Sequence, residues 1–210
     1  MGRQEQMLKA LISSAQDLGL NVSVPQAESL LWFLDELFRW NKKFNLTAIT
    51  EPMDALEKHI IDSLTLCPYL SEGRSLIDVG CGAGLPGLVL AIICPGTNIT
   101  LLDGHQKRIH FVQHVATRLQ LGNVKAFASR VEVFQAENRY DIVVSRAFSR
   151  LATFCELTKH LKSESGVWIA MKGGLVDGEL ADLSSDVSVQ EVKSMRLPYS
   201  GAQRSLVFLR

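Results

Sequence analysis

Four glycines fall within eight residues in Gly80-Cys81-Gly82-Ala83-Gly84-Leu85-Pro86-Gly87, directly after the apolar stretch Leu76-Ile77-Asp78-Val79. Glycine at this density lets the main chain turn with positive φ and lets a ligand approach the backbone without meeting a Cβ. An ordinary tight turn needs only one or two. The loop leads into the apolar run Leu88–Cys94, and Pro86 is suited to a first helical turn, where its missing N–H costs nothing. A strand, a glycine turn and a helix start, in that order, form a seat for an adenosine-containing ligand.

Two carboxylates bear on which ligand that is. Asp103 closes Thr100-Leu101-Leu102-Asp103 and can accept bonds from both hydroxyls of a ribose. Asp78 stands immediately before the loop. A carboxylate there repels a pyrophosphate placed on the helix N-terminus and attracts S-adenosylmethionine, which has no phosphate and carries a sulfonium and an ammonium. The spacing Gly82-x-Gly84-x-x-Gly87 also satisfies the dinucleotide pattern, so a nicotinamide-dependent dehydrogenase is the rival reading. No Tyr-x-x-x-Lys hydride-transfer set accompanies it.

Further candidates follow other strand-like runs. Arg146 comes just after Asp141–Ser145 and can grip a phosphate or the O6 edge of guanine with its planar fork. Lys172, after Val167–Met171 and before two glycines, can reach a phosphate as a point charge. Arg39, Lys43 and Asn45, interleaved with Trp40 and Phe44, combine charge with stacking faces as single-stranded RNA requires, although the aromatics also suit packing. His110 and His114 share a helix face, but no H-E-x-x-H pattern surrounds them and no metal is expected. His59, near Asp62 and Ser63, suits packing or hydrogen bonding as well as RNA contact.

The elements that must hold these residues change in kind near residue 72. Before it, Leu30, Leu31, Phe33, Leu34, Leu37, Phe38 and Trp40 recur at helical spacing after Pro25, and a second helix is predicted over Met53 to Tyr69, capped by Thr50 or Glu51. After Gly73, candidate strands at Leu76–Val79, Ile99–Asp103, Val124–Ala128, Asp141–Ser145, Val167–Met171 and Ser205–Leu209 alternate with helical stretches such as Lys107–Leu121 and Leu151–Leu161. The expected class is α/β: a doubly wound, mostly parallel sheet of the Rossmann type at 73–210, preceded by a helical extension at 1–72. Such sheets bind ligands at the carboxyl ends of their strands, where the unusual residues stand.

Composition agrees with a single globular chain: 210 residues, 47 % hydrophobic and 21 % charged, enough to bury a core. No apolar run approaches the roughly 18 residues of a membrane span. Arg3, Gln4, Glu5, Gln6 and Lys9 leave no signal-peptide core near the start, so a cytoplasmic protein is expected, and four scattered cysteines suit reduced thiols. The 22 cations balance 22 acids, which argues against a global basic field. Locally, Gly104–Val131 holds Lys107, Arg108, Arg118, Lys125 and Arg130 with no carboxylate, while Gly173–Val192 holds five acids and no cation.

With these residues assembled, the chain resembles the ribosomal small-subunit methyltransferase G family, also called glucose-inhibited division protein B. The segments that carry the resemblance are Trp40–Thr47, His59–Leu64, Asp78–Gly87, Leu101–Asp103, Lys107-Arg108, Ser129–Glu132, Ser145-Arg146-Ala147-Phe148 and Met171-Lys172-Gly173. The resemblance implies a seven-stranded enzyme that uses S-adenosylmethionine to methylate N7 of guanine 527 in 16S rRNA, with that RNA or the small subunit as its partner; a monomer is the default expectation. It further implies that Gly80 and Leu85 line the methionine and ribose side, that Val131 and Glu132 meet the adenine, and that Arg146 sits beside the cofactor. Two departures stand out: Cys81 replaces the more usual Ser or Thr, and Gly104-His105-Gln106 follows the ribose acid where Ser-Leu is common. Guanine N7 has an exposed lone pair and no proton, so no catalytic base is expected. A methyltransferase for another RNA or a small molecule is the alternative within the same class.

Overall fold

The computed structural model describes residues 2–146, 148, 150–174 and 176–210. Met1, in the expected extension, and Ala147, in the Ser145–Phe148 segment, lie outside the described residues. The chain begins with α1 (Arg3–Asp17) and α2 (Val24–Phe44). Ser23 and Gln26 start α2 with a reciprocal capping box, and Asn45 ends it in the left-handed conformation with φ of +51°. Glu51 caps α3 (Pro52–Ala55) by accepting from Asp54 N at 2.9 Å. The helix then widens into a π segment, Leu56–Ile61, before α4 (Asp62–Leu64) and a 3₁₀ turn at Cys67–Tyr69. The predicted helix over Met53 to Tyr69 is therefore shorter and irregular, and Pro68, which lacks an N–H, falls in the 3₁₀ turn.

Strands and helices then alternate: β1 (Ser75–Val79), α5 (Gly87–Ile93), β2 (Asn98–Asp103), α6 (Gln106–Arg118), β3 (Val124–Ala128), β4 (Tyr140–Ser145), α7 (Leu151–Thr158), β5 (Lys162–Gly173), α8 (Asp177–Leu180), β6 (Val189–Arg196) and β7 (Gln203–Leu209). They form one seven-stranded sheet in the order β3-β2-β1-β4-β5-β7-β6. Strands β1 to β5 pair in parallel, and β7 runs antiparallel to both β5 and β6. Connections leave β1 toward β2 on one side and return to β4 on the other, so the topological switch point lies between β1 and β4.

Alternation along β1 sets the two layers: Leu76 and Asp78 face one side, Ile77 and Val79 the other. The first side joins Leu76, Leu101, Ile142 and Ile169 to α5, α6 and the N-terminal helices in one continuous core, with Phe33 of α2 stacked on Phe111 of α6 at 6.1 Å. The second side packs Val79, Val143, Trp168 and Val207 against Leu151 and Phe154 of α7. No described helix is long and apolar enough to cross a membrane.

Candidate functional site

The glycine turn is built around two buried carboxylates. Asp78 has no exposed surface, and its Oδ2 accepts from the Gly87 N–H at 2.9 Å, tying the end of β1 to the start of α5. Its Oδ1 is buried without a partner among the described residues. Burial pushes this carboxyl up to about 7, against the Gly87 bond and the charge of Arg146, which favour ionisation. Gly80 and Cys81 donate to Leu102 O at 2.8 and 3.1 Å, pinning the turn to β2. Gly80, Gly82 and Gly84 take φ of +73°, +56° and +83°, and a Cβ on Gly80 or Gly82 would meet no atom within 4 Å. The backbone is thus bare where a ligand would approach. Pro86 stands one residue before α5, at its N-cap, rather than within its first turn, and the Leu85–Pro86 bond is cis.

Asp103, at the end of β2, is almost fully buried and accepts four bonds: Gly82 N at 2.9 Å and Arg108 Nη1 at 3.2 Å on Oδ2, His105 N at 2.9 Å and His105 Nδ1 at 3.0 Å on Oδ1. Burial alone would raise its pKa, but the His105 and Gly82 amides and the Arg108 charge hold it below the usual carboxylate value. The His105 ring and the Arg108 guanidinium lie on side chains 73 % and 40 % exposed, so ribose hydroxyls can take their places while the two amides stay.

A cavity of about 300 Å³ opens here at the carboxyl ends of β1 and β2, lined by Gly80, Asp103, His105, Arg108, Val131 and Glu132 among others. It is at the small end of the range for cofactor pockets. A second cavity of about 310 Å³ is lined by Lys58, His59, Asp62, Arg146, Lys172 and Arg204 with neighbouring residues of Ile49 and β5. A larger hollow of about 500 Å³ lies at the opposite end of the strands, against Ser75, Asn98 and Tyr140, away from the glycine turn.

Of the residues predicted from sequence, Gly80, Asp103, Val131 and Glu132 come together around the first cavity, and Arg146 and Lys172 around the second. Gly82 joins the first group through its bond to Asp103. Asp78 does not face open space; it lies fully buried behind the turn, held to the start of α5 by the Gly87 amide. Leu85 is buried in the core below the turn and lines neither cavity. Lys172 Nζ is held by Glu179 at 2.7 Å and by Phe148 O at 3.1 Å. Arg39 pairs with Glu36 at 2.9 Å, Lys43 lies over the Phe44 ring, Asn45 ends α2, and none of the three lines either cavity. Trp40 packs on Phe111, Phe44 and His114, the packing role for the aromatics. His114 bonds Glu36 and His110 bonds Gln106, each at 2.9 Å.

His105, Asp62 and Arg204 are not among the site residues expected from the sequence. His59 and Asp62 stood within a noted segment, but their convergence with Arg204, 142 residues beyond Asp62, carries no local signal. His59 is buried with Nε2 on Thr47 Oγ1 at 2.8 Å and Nδ1 without a described partner. Burial, helped by the Arg146 charge, lowers its pKa to about 4 and keeps the ring neutral.

A parallel sheet reversed beside β1, ended by an antiparallel β7–β6 pair and carrying a glycine turn after its first strand, defines the class as a Rossmann-like methyltransferase fold. Solved structures agree: a SAM-dependent methyltransferase from Aquifex aeolicus superposes with a TM-score of 0.58 at 18 % identity, covering 74 % of this chain and 92 % of that one. One from Geobacter sulfurreducens, in complex with S-adenosyl-L-homocysteine, gives 0.53 at 11 % identity over 71 % and 90 %. The model of the rRNA small subunit methyltransferase G family matches residues 26–207. The ribosomal RNA small subunit methyltransferase G of Methylobacillus flagellatus is 42 % identical over 97 % of this chain and 98 % of its own length. That of Chromohalobacter salexigens is 44 % identical over 92 % of each. The chain belongs to the rRNA small subunit methyltransferase G family.

Proposed function

We propose that this protein transfers a methyl group from S-adenosylmethionine to N7 of guanine 527 in 16S rRNA, acting on that RNA or on the small subunit that contains it. The observation that carries the reading is the first cavity, where the bare Gly80 backbone and the Asp103 carboxylate meet at the carboxyl ends of β1 and β2 in a chain of this family. Its residues fit the cofactor's parts: Asp103 for the ribose hydroxyls, Val131 and Glu132 for the adenine, Gly80 for the backbone approach, and the Asp78 field for the cationic end. Bound there, S-adenosylmethionine supplies an electrophilic methyl on its sulfonium.

The protein's own part is orientation. An unprotonated purine nitrogen needs no base, whereas alignment of well-placed reactants contributes about 7–11 kcal/mol toward a barrier. In this reading Gly80 and Asp103 fix the donor, and Arg146, at the end of β4, directs the RNA beside it. Residues 73–210 act as the cofactor-binding unit and 1–72 as a helical extension forming the wall on the RNA side. The dehydrogenase alternative places a pyrophosphate beside Asp78, which disfavours it.

The test is to incubate the protein with labelled S-adenosylmethionine and small subunits lacking the modification, then map N7-methylguanine by reduction and strand scission. Label at guanine 527 alone is expected; label elsewhere, or none with NADH bound instead, contradicts the reading.

A further inference from the structure

Six residues of π geometry, Leu56–Ile61, interrupt the helix between α3 and α4. Such segments are rare and are found frequently at functional sites. This one forms a wall of the second cavity. Its Lys58 carbonyl accepts from Arg146 Nη1 at 3.0 Å, and Asp62, the next residue after it, is almost fully buried between two guanidiniums. Asp62 Oδ1 accepts from Arg204 Nε at 3.1 Å, and Oδ2 lies 3.9 Å from Arg146 Nη1. Three distant parts of the chain therefore meet on one carboxylate: α4, the end of β4 and the start of β7.

This cavity stays positive at Arg146 and Arg204. Lys58 Nζ is matched by Asp54 at 2.7 Å and Lys172 Nζ by Glu179 at 2.7 Å, whereas among the described residues Arg146 and Arg204 share Asp62 as the one carboxylate within 4 Å. The pair keeps donors to spare, since Arg146 Nε and Nη2 and Arg204 Nη2 have no hydrogen bond among the described residues. Without Asp62 the two like charges would repel each other across a small, partly buried space.

We propose that Asp62 is a positioning residue that holds Arg146 and Arg204 side by side as a preformed fork for one backbone phosphate of the RNA, next to the methylated base. This rests on the function proposed above. A phosphate is favoured over the cofactor's carboxylate because the cavity is walled by Lys58 and His59 of the helical extension and shares no lining residue with the Gly80–Asp103 cavity. A planar guanidinium suits bidentate phosphate binding, and holding two of them in place beforehand removes most of the ordering cost from the binding step.

The test uses the full chain with Asp62→Asn, Asp62→Ala, Arg204→Ala and the Asp62→Ala/Arg204→Ala double variant. Binding to a 16S rRNA fragment is followed by fluorescence anisotropy against salt, and S-adenosylmethionine binding by calorimetry. We expect Asp62→Ala to weaken RNA binding roughly tenfold with cofactor affinity unchanged. Arg204→Ala should lower the slope of log affinity against log salt by about 0.7, one single-stranded phosphate contact. The double variant should lose no more than about twofold beyond either single one. Asp62→Asn keeps an acceptor for Arg204 and should fall between wild type and Asp62→Ala. Lower thermal stability with unchanged RNA affinity and salt slope in the folded variants would reduce the trio to a structural ion pair. Loss of cofactor affinity as large as that of RNA would assign the anion to the cofactor. Either result overturns the proposal. Wild-type protein that binds RNA with the expected salt slope but transfers no methyl group would overturn the proposed function and leave the fork standing.

Discussion

The Asp78 carboxyl group has one oxygen on the Gly87 amide and the other without a partner among the described residues, and its surroundings favour the neutral form. Its pKa is raised, so the stability it contributes to the free protein is complete below about pH 4 and is lost as pH rises through about 7. A cationic ligand beside the turn reverses this preference, because it binds the ionised form better. Affinity for S-adenosylmethionine should therefore tighten as pH rises from about 6 to about 8, with proton release on binding, and Asp78→Asn should flatten that dependence. Calorimetry in buffers of different ionisation enthalpy measures both; a pH-independent affinity in the wild type would separate Asp78 from the ligand. The position of Asp78 was legible in the sequence, since a carboxylate before a glycine turn is a local pattern. Its orientation was not, because only the fold decides that Oδ2 turns inward to Gly87. Asp103 was legible in the same way, but the His105 ring and Arg108 that occupy it come from the following turn and helix α6, and no spacing rule announces them.

At the scale of elements, the β1–turn–α5 unit depends on Gly87 for a reason distinct from backbone φ. A Cβ there would lie 2.7 Å from Leu101 Cδ2 and 3.0 Å from Asp78 Oδ2, wedging the helix off the sheet. Gly87→Ala should cost about 1–3 kcal/mol in urea unfolding and weaken cofactor binding as Asp78 loses its place. An unchanged midpoint would show that Leu101 yields freely. The central strands were legible because burial on both faces writes them as unbroken apolar runs, as in Leu76–Val79 and Ile142–Val144. Strand β6 was not among the candidate strands: at the sheet edge, Val189-Gln190-Glu191-Val192-Lys193-Ser194-Met195-Arg196 is mostly exposed and keeps no apolar face. The π segment also leaves no trace in the sequence, since Leu56–Ile61 has the residue types of an ordinary helix.

Over the whole molecule, the change in sequence character near residue 72 does not divide the core. Leu30, Leu34 and Leu37 of α2 are fully buried with Leu88, Phe111 and Val115 of α5 and α6. Glu57 accepts from the Tyr199 and Ser200 amides, and Tyr199 OH reaches Ala10 O, so the β6–β7 turn is also bound to the N-terminal helices. Burial of each such leucine is worth about 1.5–3 kcal/mol, comparable in sum to the net stability of a domain. A chain cut to residues 73–210 should therefore lose cooperative thermal unfolding and bind hydrophobic dye; a sharp transition within about 5 °C of the full chain would contradict the shared core. The central claim, that the cavity between Gly80, Asp103 and Val131 holds the methyl donor, is tested most directly by a crystal structure with S-adenosylhomocysteine. The expected result is the ribose on Asp103 with the His105 ring and the Arg108 guanidinium displaced, the adenine against Val131, and the sulfur directed toward Arg146. An unoccupied cavity at saturating ligand, or ligand seated elsewhere on the sheet, would contradict it.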